Sequence, residues 1–265
     1  ADKASHRPPR HDPEELLGIM PMDHKRPVDM RQAIARFIDD SDFTEFGANY
    51  GPATVCGHAR IEGQAIGIIT NNGPLDPQGA TKAAQFIQLC DQAGTPVVYL
   101  QNTTGFIVGR ASEEAGMIKH GSKMIQAISN ADVPRITLYI GASFGAGNYG
   151  MCGYAYKPDF LFAWPNAMTG VMGGEQAAGT MEQVARVGAR RRGIELDEQV
   201  LAQQRAAVIA HYDRQSGAFY TSGRCLDHGI IDPRDTRKVL GFALDTCWEA
   251  RQRRLQPNSF GVARM

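Results

Sequence analysis

The chain lacks the charge imbalance that draws a protein to nucleic acid or an anionic membrane. Its 28 Lys and Arg are matched by 28 Asp and Glu, so the expectation is no nucleic acid and no membrane partner. Cysteine is scarce too. The five residues at 56, 90, 152, 225 and 247 are odd in number, widely spaced and free of C-x-x-C pairs. That excludes a disulfide framework and a zinc site, leaves no metal expected, and fits a reducing compartment: the cytoplasm, or the mitochondrial matrix in a eukaryote. No apolar run approaches the roughly 18–20 residues of a membrane span. The N-terminal stretch ADKASHRPPRHDPEELLG has no apolar core of a secretory signal and, rich in proline and charge, reads as an exposed linker. What is present suffices for a large core. A chain of 265 residues with 43% hydrophobic residues buries about 70–75% of its unfolded surface and sits near the upper size of one domain.

The most telling scarcity is local. Between Ile136 and Gly153, ITLYIGASFGAGNYGMCG, there is no His, Asp, Glu or Lys, yet there are five glycines from Gly141 to Gly153. Chemistry at such a loop rests on backbone N–H groups. A strand that ends in it and feeds a helix aims several unpaired donors at one point, which suits an anion or an oxyanion. Two motifs overlap there. Gly145 to Gly150 fits the dinucleotide pattern G-x-G-x-x-G, but the next apolar run, Phe160 to Trp164, ends in Pro165-Asn166 rather than an acidic residue. Gly141 to Gly145 fits the nucleophile elbow G-x-S-x-G with Ser143 as the serine. A hydrolase would then need His211 or His228, the only histidines downstream, and the glycine-rich run after Ser143 argues against the firm helix an elbow requires.

Strand-like and helix-like segments alternate around this loop. Ala65–Thr70, Val97–Leu100, Ile136–Ile140 and Phe160–Ala163 read as buried strands. Helical periodicity runs from Thr81 to a stop at Gly94 and Pro96, over Ile118–Ile128, Gln176–Val187 and Asp197–Tyr212, and from Thr236 to about Arg254. The pattern predicts a largely parallel α/β arrangement with loops collected at one end.

Several long segments then fall in register with a known family: Asn71-Asn72, Gly79–Cys90, Gln101–Gly109 (QNTTGFIVG), the glycine loop, Trp164-Pro165-Asn166, Val171–Ala177 (VMGGEQA), Asp227–Arg234 and Asn258–Met265. From about Pro27 to Met265 the chain resembles the carboxyltransferase β subunit of biotin-dependent acyl-CoA carboxylases. QNTTGF, GAGNYGMCG and VMGGEQA are most similar to the branch acting on 3-methylcrotonyl-CoA or geranyl-CoA. The resemblance is to the C-terminal of two homologous halves, with residues 1–26 as a linker or N-terminal extension and 27–265 as the carboxyltransferase domain.

The resemblance implies an α/β fold of the crotonase-like (ClpP/crotonase) type, a spiral of ββα units. It implies biotin carried on a partner subunit or domain and not on this chain. The implied partners are an acyl-CoA substrate, a biotin carrier and biotin carboxylase subunit, the N-terminal carboxyltransferase half, and further copies in a homo-oligomer. Ala146 and Gly147 match the pair whose N–H groups hold the biotin oxyanion. Gly105, Phe106, Gly145, Tyr149, Gly173 and Gly174 would shape the biotin site, though turn geometry, core packing and space filling are competing readings for each. His120 reads as a solvated face, Arg190-Arg191-Arg192 as charges suited to a helix C-terminus or to a CoA phosphate, and Cys152 as a buried small apolar group. The rival readings are a serine hydrolase using Ser143 and a non-catalytic crotonase-like scaffold.

Overall fold

A computed structural model describes residues 6–21, 23 and 26–254. The motif Asn258–Met265 lies outside the described residues. Two short helices, α1 (Leu16–Ile19) and α2 (Met30–Ile34), precede the sheet. Then come β1 (Thr44–Phe46), β2 (Thr54–Ile61), β3 (Gln64–Asn71), α3 (Pro77–Ala93), β4 (Val97–Thr103), α4 (Arg110–Glu114), α5 (Met117–Asn130) and β5 (Arg135–Phe144). The second half holds α6 (Gly145–Gly150), β6 (Phe160–Ala163), β7 (Met168–Gly170), α7 (Gly174–Arg192), α8 (Glu198–Ser216), α9 (Ala218–Ser222) and α10 (Thr236–Gln252).

The strands form one sheet in the order β1-β2-β3-β4-β5-β6, with β7 also pairing β5. The β1-β2-β3 meander is antiparallel, whereas β3 to β6 and the β5-β7 pair are parallel. Parallel strands need crossovers, and α3 and α5 supply them. Alternation along the strands splits the core. Ile66, Ile68, Val98, Leu100, Ile136 and Leu138 face α2 and α10, while Ile69, Val97 and Tyr99 face α3 and α5. Gly67 permits the second layer to close, because a methyl there would stand 2.6 Å from Cys90 Sγ on α3. Helix α3 opens on Asp76, whose carboxylate accepts from Gly79 N, and ends on the left-handed Gly94.

The four expected strands and five expected helices are all present, but three strands were not foreseen. β2 carries Gly57, His58 and Arg60 inside an otherwise buried strand, which breaks its apolar pattern. β1 and β7 are three residues each, too short to show a period. The exposed-linker reading gives way at Leu16, while most of its neighbours stay exposed. Leu16 is 2% exposed within the α2 and α10 core, Glu15 pairs with Arg36, and Arg10 pairs with Asp40 at 2.8 Å. A leucine seated in the core offsets the cost of ordering a proline-rich approach, at about 1.5–3 kcal/mol for full burial. Asp39 ties the ends of the fold together by accepting from Glu62 N, Gly63 N and the Arg237 guanidinium of α10.

Candidate functional site

The C-terminal ends of β4 and β5 set two loops against each other. Past β4 the chain turns at Gly105 (φ +124°), a conformation that L side chains rarely adopt. It then makes a parallel bridge with Leu75: Leu75 N donates to Gly105 O and Ile107 N donates to Leu75 O, each at 2.9 Å. Successive groups on an extended strand point to opposite sides, so the Phe106 N–H points away from Leu75, toward the β5 side. That N–H has no acceptor among the described residues.

Across the gap, β5 runs unbroken to Phe144, turns at Gly145 (φ +57°) and enters α6. The first N–H groups of a helix have no intrahelical acceptor, and none is found among the described residues for Ala146 or Gly147. A methyl at Gly147 would stand 2.5 Å from Gly105 Cα, so the two loops touch backbone to backbone. A methyl at Gly145 would stand 2.9 Å from Val171 O, which brings in the loop after β7. The donors of Ala146, Gly147 and Phe106 therefore lie around one glycine-to-glycine contact, flanked by a third loop. The arrangement can hold a negative oxygen without any ionisable side chain.

Other expected site residues are distributed around it. Tyr149 is 48% exposed and meets Tyr156 edge-on at 6.1 Å. Phe106 is half-buried, with its ring wedged over Gly150 and Gly121; packing accounts for the side chain, and its backbone N–H is the part that faces the site. Gly173 caps α7 with open space around it. Gly174 instead lets α7 pack on α8, since a methyl would meet Asp213 Oδ1 at 2.9 Å.

Ser143 is fully buried. Its hydroxyl donates to Gln101 Oε1 and accepts from Asn148 Nδ2 at 2.8 Å. His228 Nδ1 accepts from Leu161 N at 2.8 Å, and His211 contacts Gln215, so neither histidine serves the serine. The strand, turn and helix of an elbow are all there, including the α6 helix that its glycines argued against. What is missing is an accessible hydroxyl beside a base. Replacing Ser143 with alanine is expected to cost about 1–3 kcal/mol, because Gln101 and Asn148 lose a buried partner. Chemical denaturation reads this as a lower midpoint.

Cys152 is also inert: burial pushes its thiol up to about 12. Cys56 and Cys90 are likewise raised to about 12 and Cys247 to about 11, whereas Cys225 is exposed. A short iodoacetamide pulse followed by peptide mass analysis is expected to modify Cys225 at least tenfold faster than the other four; equal labelling would contradict the burial. His120, expected on a solvated face, is half-buried and shares a 2.8 Å hydrogen bond with Thr81 Oγ1. Arg190, Arg191 and Arg192 occupy the last turn of α7, where a helix C-terminus favours cations. Asn148, whose contacts converge behind α6, was not singled out in the sequence.

With this geometry in hand, comparison with known proteins is specific. The family described as the carboxyl transferase domain matches residues 1–262. The mitochondrial methylcrotonoyl-CoA carboxylase beta chain of Arabidopsis thaliana is 49% identical over 260 residues, covering 98% of this chain and 44% of that protein. The crystal structure of the P. aeruginosa geranyl-CoA carboxylase beta subunit superposes with a TM-score of 0.90 at 51% identity, over 98% of this chain and 49% of that one. A transcarboxylase 12S structure, described as a hexamer assembly, gives 0.81 at 33% identity, over 98% and 50%. The chain thus spans about half the length of the relatives it matches.

Proposed function

This chain belongs to the carboxyl transferase domain family and has its crotonase-like α/β fold, and we propose that it is the biotin-receiving half of an acyl-CoA carboxyltransferase. The observation that carries the proposal is the set of backbone N–H groups of Phe106, Ala146 and Gly147 around the Gly105–Gly147 contact, in a loop without side-chain acids or bases. Residues 27–265 would be the carboxyltransferase domain, with residues 1–26 as a linker or N-terminal extension.

The chemistry needs negative charge stabilised on oxygen. Carboxybiotin supplies the carboxyl group and, on release, offers an oxygen that carries charge and a nitrogen that can take a proton. The Ala146 and Gly147 N–H groups, joined by that of Phe106, would hold that oxygen. Each fixed donor of this kind is worth about 10²–10³ in rate. Gly105 and Gly145 allow the close approach of the loops. Tyr149 and Gly173 would border the ring, and Gly174 would set the α7 loop at its distance by letting the helix pack. Ala146 is exposed and carries only a methyl, so a ureido oxygen can approach the main-chain donors at the start of α6, and in this the residues present fit the group.

Two relatives name the acyl group: one is a methylcrotonoyl-CoA carboxylase chain and the other a geranyl-CoA carboxylase chain. We assign the substrate to this branched enoyl-CoA class. The biotin would arrive on a carrier subunit, the acyl-CoA would be held mainly by the homologous N-terminal half, and the assembled protein would be an oligomer in the cytoplasm or mitochondrial matrix. Transfer of labelled carboxyl to 3-methylcrotonyl-CoA or geranyl-CoA in the assembled enzyme tests the reading. A fluorophosphonate adduct on Ser143, with no transfer, would overturn it.

A further inference from the structure

Helix α6 has little reason to be stable by itself. It has six residues, three of them glycine, and no side chain caps its N-terminus. Each glycine costs about 0.8–1.0 kcal/mol against alanine, and helices of this length do not persist alone in water. Yet an oxyanion site demands donors fixed in direction. Something must hold the helix still.

Asn148 makes the required contacts. Its amide Nδ2 lies 2.8 Å from Ser143 Oγ and 3.0 Å from Tyr139 OH, with Gln101 Oε1 at 3.4 Å and Thr169 Oγ1 at 3.5 Å. The directions agree along the chain of bonds. Asn148 donates to Ser143, Ser143 donates to Gln101 Oε1, and Gln101 Nε2 donates to Met151 O at 2.7 Å, just past the end of α6. Thr169 Oγ1 donates to Ser143 O at 2.8 Å, which anchors β7 to the same point. The Asn148 backbone carbonyl accepts from Gly153 N at 2.8 Å, and its Oδ1 fills the space where a Gly153 side chain would start. Both ends of α6 are thus tied to β4 and β5 through one carboxamide. A linked series of this kind polarises its members and favours one arrangement.

The geometry points to Asn148 as a positioning residue for the reaction: its carboxamide fixes the orientation of α6, and so the aim of the Ala146 and Gly147 N–H groups. This rests on the carboxyltransferase reading above. The neutral, donating character of the group matters as much as its shape. An aspartate at 148 keeps the outline but offers no donor when ionised, so Ser143 turns its proton toward residue 148 and Gln101 Oε1 loses it. The charge also sits within one turn of the donors that must hold a negative oxygen. Protonation returns a neutral group of the same shape with one O–H donor.

The titratable groups near this position leave a clear window for the test. Burial raises the Tyr139 phenol and pushes the Cys152 thiol up to about 12; Asp227 also acts electrostatically on Tyr139. Asn148 is half-buried, so a carboxyl at 148 would be raised in part by the same surroundings.

The experiment measures kcat and KM for acyl-CoA of Asn148→Asp and Tyr139→Phe in the assembled enzyme, this chain with its homologous half and biotinylated carrier. Asn148→Asp is expected to lower kcat about 10²-fold near pH 8, with KM unchanged. The ratio of variant to wild-type kcat should rise about tenfold as the pH falls to about 6, because partial burial favours uptake of a proton by the carboxyl as the pH falls. Tyr139→Phe removes one acceptor and should lower kcat about fivefold at unchanged KM, the worth of one ordinary hydrogen bond. It decides the matter if the aspartate variant does not fold. A pH-independent ratio for Asn148→Asp, or wild-type kcat in Tyr139→Phe, overturns the assignment while the carboxyltransferase reading stands. An assembled wild-type enzyme without transfer removes that reading, and the positioning role with it.

Discussion

Replacing Ala146 with proline is expected to lower carboxyl transfer about 10²–10³-fold in the assembled enzyme, the effect of one lost oxyanion donor. Ala146 is the second residue of α6, is exposed, and has an N–H without an acceptor among the described residues. Proline in the first turn of a helix removes an N–H that the helix does not use, so the fold should survive. Gly147 is the less informative position. Any side chain there meets Gly105 Cα, so Gly147→Pro would combine the loss of a donor with displacement of the facing loop. Steady-state transfer should show the fall in kcat, with KM for acyl-CoA within about twofold, since the donor acts on the charge that develops in the transition state. Far-UV circular dichroism and the thermal midpoint report the fold. Transfer within about fivefold of wild type in a folded variant would remove Ala146 from the site.

The chain by itself is expected to be inactive and self-associating, with transfer appearing only when the homologous half and a biotinylated carrier are added. The relatives it matches are about twice its length, and one solved relative is described as a hexamer. The surface agrees. Val108, Ile118 and Val171 are 83%, 81% and 76% exposed on the loops and helices flanking the site, and Tyr149 joins them. Phe144 is buried at 5%, and Phe106 is half-buried. The α7–α8 pair carries a second apolar set, with Met181, Val184, Val187 and Val200 all exposed. Apolar side chains grouped in this way mark surfaces that another subunit covers. Sedimentation velocity across a concentration series should show association, and labelled-carboxyl assays with and without the missing parts should show complete dependence. A stable monomer that carboxylates 3-methylcrotonyl-CoA or geranyl-CoA unaided, given carboxybiotin, would sink the two-half reading.

The parts legible in the sequence were those with a period or a long motif. β4, β5 and β6 were readable because Val97–Leu100, Ile136–Ile140 and Phe160–Ala163 are continuous apolar runs bounded by turns. α7 was read only from Gln176 to Val187, since its first turn holds glycine and its last holds three arginines. β2 was invisible because Gly57 stands where the Phe43 ring and Thr44 O leave no room for a side chain, a tertiary reason that no local pattern reports. The site divided in the same way. The glycine-rich stretch from Gly141 to Gly153 suggested an anion or oxyanion loop by composition, while Ala146 and Gly147 were singled out by the resemblance. The carboxamide that steadies it gave no such signal, because its partners Tyr139, Thr169 and Gln101 lie 9, 21 and 47 positions away. The same network explains why a glycine-rich hexamer, discounted as a helix on propensity, forms one.

The contact between Gly105 and Gly147 also limits how such a protein can change. Hydrogen is the smallest substituent a Cα can bear, and even a methyl on Gly147 would stand 2.5 Å from Gly105 Cα. A side chain at Gly147 therefore pushes the two loops apart, whereas one at Gly105 would meet only Phe144 O at 3.6 Å and is opposed instead by its φ of +124°. At Gly147 the spacing sits at the lower stop of its range, and drift runs in one direction only. Variation around the two loops must then accumulate at the rim, at positions such as Tyr149 and Val171, while the spacing at Gly147 stays constant.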